Sequence, residues 1–385
     1  FIELTAELGF YAVVRPGPYM GLDWEFGGFP WWFLKYDDLD VRCMNERYLG
    51  FVDRYFDELI PRLASHQITK GGNIILVQVE NEYGSYGDDN EYMKYIADGI
   101  RNRGIEVPLF TADGTDDHML LNGGVDGIYK AVKFGANGER HFDALKYFQP
   151  EGPLFCSEFW NGWYDEWEYK HYQRAPKDAA VAMSRTLKCG ASLNTYMFCG
   201  GTNFGFMNGA NCDYEYKSVT SSYDNDALLT ESGAYTKKYK LMKELLSKYT
   251  EIPADIAMEP EVQKVRYGKV QFTHFANLFD NLDVLSIPVR SKNPMPMEKY
   301  GQGYGLILYR KMVKGPRDYM PLVINEVHDR AKIYLYNKFY ADQTRNDEPS
   351  VVEVRVPEEG LDLSILVENM GRVSFGHKLR DPKGI

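Results

Sequence analysis

The sequence predicts an α/β fold that gives way to a separate all-β domain, and three observations lead there. Up to about residue 250, short apolar runs alternate with longer stretches of helical period; beyond it the helical period stops; and acidic and aromatic residues, rather than glycine-rich loops, follow the apolar runs. The strand-like runs are residues 11–14, 74–79, 107–110, 127–132, 154–156 and 193–198. Runs this continuously apolar suit a parallel sheet covered on both faces. Between them, Leu49, Val52, Phe56, Leu59 and Leu63 share one helical stripe, and Met93, Ile96 and Ile100 share another. Residues 178–187 run to a stop at Gly190, and Tyr239, Met242, Leu246 and Tyr249 mark a last helix. Residues 1–8 read as the final turns of a helix closed by Gly9, so the chain is expected to start inside a domain. Six βα units follow, and periodicity alone leaves both a doubly wound sheet and a closed barrel open.

Around Ile252-Pro-Ala-Asp-Ile-Ala-Met-Glu-Pro260 the pattern changes. Residues 264–272, 304–309, 331–340, 351–356 and 363–367 alternate or run short between turn residues, which predicts an all-β domain over 251–385 after an α/β domain over 1–250. The abrupt finish at Lys383-Gly-Ile385 suggests a second cut.

Composition narrows the function. With 44 Lys and Arg against 55 Asp and Glu, the net charge of −11 excludes a nucleic-acid partner, which would demand clustered basic residues. The expected partner is a neutral or cationic small molecule. No stretch reaches the roughly eighteen apolar residues of a membrane helix, since Trp31-Trp-Phe-Leu34 stops at Lys35. Cys43, Cys156, Cys189, Cys199 and Cys212 are odd in number and lack a C-x-x-C pair, which argues for buried thiols rather than disulfides or zinc. No nucleotide loop, H-E-x-x-H or G-x-S-x-G motif occurs, Asp116-Asp-His118 reads as a solvated loop, and residues 200–211 as a tight loop. Neither a metal nor an organic cofactor is expected. The 6 Trp, 29 Tyr and 21 Phe either fill a large core or stack on the apolar face of a sugar.

Two apolar runs lead directly into carboxylates, one into Glu80-Asn-Glu82 and one into Ser157-Glu158-Phe-Trp160. In a β/α barrel the C-terminal strand ends build the active site, so both would enter one pocket. A carboxylate pair among aromatics is the equipment of glycoside hydrolysis. The structural alternative for each Glu alone is a cap or an ion-pair partner. Alternation along the strand turns Glu80 away from its neighbours.

Val77-Gln-Val-Glu-Asn-Glu-Tyr-Gly-Ser-Tyr86 resembles the acid/base signature of glycoside hydrolase family 35. Arg15-Pro-Gly-Pro-Tyr19, Trp24-Glu-Phe-Gly-Gly28, Ser157-Glu-Phe-Trp160 and Gly200-Gly-Thr-Asn-Phe-Gly205 with Asn208-Gly209 resemble its other blocks in the same order, and Val367-Glu-Asn-Met-Gly-Arg-Val373 resembles an element of its β domain. The resemblance implies a (β/α)8 TIM barrel of which strands three to eight are present and the first two βα units lie upstream. A piece lacking them would expose sheet edges and apolar faces. It also implies a retaining exo-β-glycosidase acting on terminal non-reducing β-galactosyl residues. Glu82 then matches the acid/base and Glu158 the nucleophile, while Asn81 matches the contact to the sugar 2-hydroxyl. Tyr19, Leu22, Asp23, Trp160, Trp163 and Asn225 fall in the sugar-binding shell, with Arg15 bracing the carboxylates and Trp24 and Trp167 either at the rim or packed in it.

This sequence departs from the family pattern twice. Leu22-Asp23 replaces Ala-Glu before Trp24, and Asn225 replaces the second Tyr of Ser-Tyr-Asp-Tyr-Asp. Both changes touch hydroxyl recognition, so another sugar, such as a β-glucosaminide, and an inactive carbohydrate-binding protein are the alternative readings.

Overall fold

All six apolar runs form strands, and these pair in parallel and in chain order: β1 (Ala12–Val14), β2 (Ile74–Gln78), β3 (Leu109–Asp113), β4 (Tyr129–Phe134), β5 (Phe155–Trp160) and β6 (Ser192–Tyr196). The computed structural model describes residues 1–253, 263–347 and 352–385. Helices return the chain between strands: α1 (Ile2–Glu7), α2 (Glu46–Ala64), α3 (Asn90–Asn102), α4 (Asp117–Asn122), α5 (Gly138–Phe148), α6 (Pro176–Lys188) and α7 (Lys237–Leu246). Asn45 and Asp89 cap α2 and α3 by accepting the N–H of Tyr48 and Tyr92. The arrangement is a six-stranded arc of a (β/α)8 barrel, in which β1 and β6 are each bonded on one side only. Phe10, Tyr11 and Val13 are exposed at one edge, and Phe198 and Phe204 beyond the other.

Two helices escaped the sequence pattern. The six residues of α4 bury only Leu120, and α5 buries Phe142 and Leu145 beside Gly138, too few apolar positions to establish a period. Asp116-Asp-His118, expected in a loop, instead opens α4, with Asp116 at the N-cap position but no hydrogen bond from its side chain to the helix.

The core has two shells. Outside the sheet, Leu49, Val52, Phe56 and Ile60 of α2 and Tyr92, Met93, Ile96 and Ile100 of α3 pack with Ile74 and Val77. Inside it, Phe110, Ala112, Ala131 and Phe155 meet Leu76 and Tyr129. This floor closes the barrel below the strand ends.

Past β6 the tight loop expected at 200–211 contains two short strands, β7 (Gly201–Thr202) and β8 (Gly209–Asn211), and two more follow it, β9 (Lys217–Ser218) and β10 (Ser222–Tyr223). The all-β part holds β11 (Leu306–Val313), β12 (Arg317–Leu322), β13 (Arg330–Leu335), β14 (Lys338–Thr344), β15 (Val352–Val356), β16 (Leu361–Glu368) and β17 (Arg372–Phe375). An antiparallel sheet runs β11-β16-β13-β14, and β12 pairs with β15. Residues 264–272 correct the expectation: they form no strand, and Val265, Tyr267, Val270 and Phe272 stand exposed. Alternation supplies an apolar face, but a strand also needs a hydrogen-bonded neighbour and a surface to cover. Most of the domain boundary expected at 252–260, and residue 351, lie outside the described residues. Among the described residues no helix is long and apolar enough to cross a membrane. All five cysteines are free, but only Cys156 and Cys212 are buried, and Cys199 is exposed.

The two parts are sewn together by a shared sheet. β17 pairs in parallel with β8, which pairs in turn with β9. Asn208 Nδ2 donates to the Met370 carbonyl at 2.6 Å and to that of Val219 at 2.8 Å. Ser374 anchors the loop after β1: it accepts the Tyr19 hydroxyl on its carbonyl at 2.6 Å and donates its own hydroxyl to the Leu22 carbonyl at 2.9 Å. Beneath lies buried Arg372, which pairs with buried Glu298, donates to the Gly303 carbonyl at 2.6 Å and stands 3.6 Å from Glu25. Tyr304 donates to the other oxygen of Glu25 at 2.5 Å. Removing one member of a buried ion pair leaves an uncompensated charge. Arg372→Met is therefore expected to cost about 3–5 kcal/mol, seen as a lowered midpoint in denaturant unfolding.

Candidate active site

After β2 the chain turns sharply, and Glu80 and Glu82 both adopt positive φ, 55° and 51°, on either side of Asn81. Non-glycine residues held there cost roughly 1–3 kcal/mol each and persist only where their surroundings overdetermine them. The surroundings do so here. Arg42 grips the buried Glu80 carboxylate with Nε at 2.9 Å and Nη2 at 2.7 Å, and the Tyr92 hydroxyl adds a third donor at 2.9 Å. Arg42 also donates to the Asn81 carbonyl at 2.7 Å and lies over the Tyr19 and Tyr86 rings, 3.8 and 4.3 Å from their centroids. On the other side Asp113, at the end of β3, accepts the Gly84 N–H at 2.8 Å, and the Ala112 carbonyl accepts that of Glu82 at 3.1 Å.

Glu158 is aimed by a bulge in β5. Val132 pairs with Cys156, but Lys133 pairs with Glu158, so Ser157 is an extra residue. Without it Phe155 and Glu158, three positions apart, would face opposite sides of the sheet. Because Lys133 and Glu158 are ladder partners, their side chains meet: Lys133 Nζ is 2.8 Å from Glu158 Oε1. Arg15, just past β1, reaches the same oxygen with Nη1 at 2.6 Å and Asn81 Oδ1 at 3.0 Å. Trp160 Nε1 donates to Glu158 Oε2 at 3.2 Å. Lys133 also donates to Asn81 Oδ1 and stands 3.8 Å from Glu82 Oε1. The facing oxygens of Glu82 and Glu158 therefore cannot stand further apart than 3.8 and 2.8 Å laid end to end. That ceiling falls about where inverting spacing begins, roughly 6.5 Å, and includes the ~5 to 5.5 Å of retention.

The two carboxyls are pushed in opposite directions. Burial raises Glu82, aided by the negative charge of Glu158 and opposed by Lys133 and Arg15. Burial also acts to raise Glu158, but Lys133 and Arg15, by charge and hydrogen bond, outweigh it and hold that carboxyl down at about 2. The proton is thus favoured on Glu82 over Glu158.

Of the remaining expected residues, Asp23 borders the pair: a methyl on Gly21 would lie 2.8 Å from Asp23 Oδ1 and 3.3 Å from Asn81 Nδ2. Trp163 packs edge-on against Trp160 at 5.4 Å and is 39% exposed, as an open ring face requires. Trp24 and Trp167 are also exposed. Tyr19 is a correction, because its ring is fully buried against Arg42 and its hydroxyl is occupied by Ser374, so it braces the wall and does not reach the pocket. Leu22 packs with Tyr164, Val219 and Tyr223. Asn225 is buried at positive φ, with its backbone carbonyl so close to Gly162 that a methyl there would lie 1.9 Å away, and its side-chain oxygen is buried without a hydrogen-bond partner.

Two site residues escaped sequence reasoning. Lys133 left a signal, a second lysine in a strand whose other neighbours Ala131, Val132 and Phe134 are apolar, where burial demands an anionic partner. Tyr196 ends β6 opposite Trp160, with its hydroxyl 3.4 Å from that of Tyr223; burial first, then the charge of Asp23, push it well above the ordinary tyrosine range. Among the described residues no group of three His, Cys, Asp or Glu side chains is placed to hold a metal.

The model of glycosyl hydrolases family 35 matches residues 1–249. The chain belongs to this family. A second match, to the first all-beta domain of β-galactosidases, covers residues 294–385. Family 35 relatives include a β-galactosidase of Bos taurus, 37% identical over all of this chain and 60% of its own length. A β-galactosidase of Xanthomonas manihotis is 37% identical over 99% of this chain and 64% of its own. The human β-galactosidase-1-like protein 3 is 36% identical over all of this chain and 59% of its own. The chain thus spans about 60% of the length of the curated relatives it matches.

Burial lifts Asp113 to about 7, opposed by the Gly84 N–H and Lys133. An acid raised on folding holds its proton more tightly in the native state, so its stabilising contribution is intact below the unfolded pKa of about 4 and is lost as pH rises through 7. Asp113→Asn keeps an acceptor for Gly84 and removes the titration. Its melting temperature is expected to fall less than the parent's between mildly acidic and mildly alkaline buffer.

Proposed function

We propose that the parent protein is a retaining exo-β-glycosidase that removes terminal non-reducing β-galactosyl residues, with Glu158 as nucleophile and Glu82 as acid/base. The observation that carries the reading is the placement of two carboxyls about one ammonium, 2.8 Å from Glu158 and 3.8 Å from Glu82, with Arg15 on Glu158 alone; this geometry favours the ionised form of Glu158 and leaves the proton to Glu82. A nucleophile must be ionised and a general acid protonated at the same pH, and charge and burial divide the pair in that sense. Glu158 attacks the anomeric carbon while Glu82 protonates the departing oxygen; Glu82, now a base, then activates the water that releases the sugar. Asn81 has its side-chain oxygen engaged by Arg15, Gln78 and Lys133 and one amide hydrogen by the Met20 carbonyl, 2.8 Å away, leaving a second hydrogen for the sugar 2-hydroxyl. Trp163 offers a face for the apolar side of a sugar ring. Galactose is favoured by the names of the relatives.

The test is turnover by the complete parent protein on a panel of aryl β-glycosides, galactoside and glucosaminide foremost. Galactoside preference supports the reading; preference for another sugar moves attention to Asp23, and sugar binding without turnover favours a binding protein. Glu158→Gln should abolish turnover with the fold intact. Glu82→Ala should lose about 10²–10⁴-fold on substrates whose leaving group needs a proton and much less on dinitrophenyl substrates, with azide restoring turnover as the β-azide. An α-azide from Glu82→Ala would show the two roles to be reversed.

A further inference from the structure

Lys133 is unusual among the charged groups of the site. Its side chain is fully buried, yet its ammonium has three acidic or amide oxygens around it rather than a single partner. Two of its three hydrogens are engaged, by Asn81 Oδ1 and by Glu158 Oε1 at 2.8 Å. Glu82 Oε1, at 3.8 Å, lies just outside hydrogen-bond reach. Arg15 is bonded to Glu158 and Asn81 but not to Glu82. The other titratable groups within reach of this ammonium's charge are Asp113 of β3 and, on the opposite face of the sheet, Cys156 of β5, while Tyr196 of β6 feels the charge of Glu158.

We propose that Lys133 is a positioning residue acting as a shared counter-ion, bonded to Glu158 while that group is the anion and to Glu82 once the negative charge has moved there. The inference rests on the nucleophile and acid/base roles given above. In the first step a Glu158 oxygen bonds to the anomeric carbon, the bond from that carbon to the leaving oxygen breaks, and the Glu82 proton passes to that oxygen. Glu158 becomes an uncharged ester and Glu82 a carboxylate. In the second step Glu82 takes a proton from water, the water oxygen bonds to the anomeric carbon, and Glu158 leaves as a carboxylate. The pair carries one negative charge throughout, and only its location changes. A cation with one hydrogen left unengaged by Asn81 and Glu158, and with Glu82 Oε1 only 3.8 Å away, can follow that charge by a small rotation of its ammonium, with no movement of the strand. Arg15, bonded to one carboxylate alone, cannot.

The variants Lys133→Met and Lys133→Arg, made in the complete parent protein, test this through the pH profile of kcat/KM on an aryl galactoside. Loss of the cation should raise both limbs, because each carboxyl loses a neighbour favouring its ionised form; the expected displacement is about one to three pH units. Lys133→Arg should return both limbs toward the parent. A lower kcat with both limbs unmoved would mean a merely structural lysine and overturn the proposal. A second measurement needs no variant: a 2-deoxy-2-fluoro sugar with a good leaving group should accumulate the Glu158 ester, and a crystal structure of that state should show Lys133 Nζ within hydrogen-bond distance of Glu82. If Glu158 is labelled and the ammonium keeps its distance from Glu82, the counter-ion proposal alone falls. If another residue is labelled, the nucleophile assignment falls and takes the proposal with it.

Discussion

A carboxylate taken out of water beside a second carboxyl will protonate unless something compensates it, and the whole site follows from how that is arranged. Two cations converge on one oxygen of Glu158, whereas Glu82 has a single cation at longer range. The asymmetry is geometric before it is chemical. It requires Lys133 and Glu158 to be ladder partners, a bulge to turn Glu158 inward, and two positive-φ residues to swing Glu82 over the same ammonium. The Arg42–Glu80 pair, bonded to neither Glu82 nor Glu158, stabilises that backbone and so belongs to the same arrangement.

The all-β part contributes to the site wall rather than standing apart from it. Ser374 holds both Tyr19 and Leu22, and the loop between them leads to Asp23, which borders the carboxyl pair. Tyr19 in turn provides one of the rings over Arg42. A chain of contacts thus runs from β17 through a buried arginine to the turn that carries Asn81 and Glu82.

Much of this was legible in the sequence because continuous apolar runs and helical stripes report burial directly. Glu82 and Glu158 were legible because carboxylates at strand ends are conspicuous. The fate of Tyr19 was not: a motif places a residue near a site, but whether its hydroxyl faces ligand or a carbonyl 355 residues away depends on packing between domains. The backbone of Asn225 was hidden for a similar reason, since its positive φ and the approach of its carbonyl to Gly162 depend on packing. Residues 264–272 failed in the opposite sense, because their alternation was real but no neighbour met it. The lysine at 133 was visible throughout, yet only the register of β4 against β5 reveals which anion it meets.

The distance along the chain between Tyr19 and Ser374 also bears on how the molecule is made. Synthesis delivers the loop after β1 some 355 residues before the strand that backs it, so the barrel strands can gather their helices while that loop still lacks its support. Contacts of such long sequence separation form late because the closure entropy must be met before they reward it. The pocket would thus take its final shape only after β17 has docked, and a nascent chain could display well-formed barrel strands without yet holding a working site.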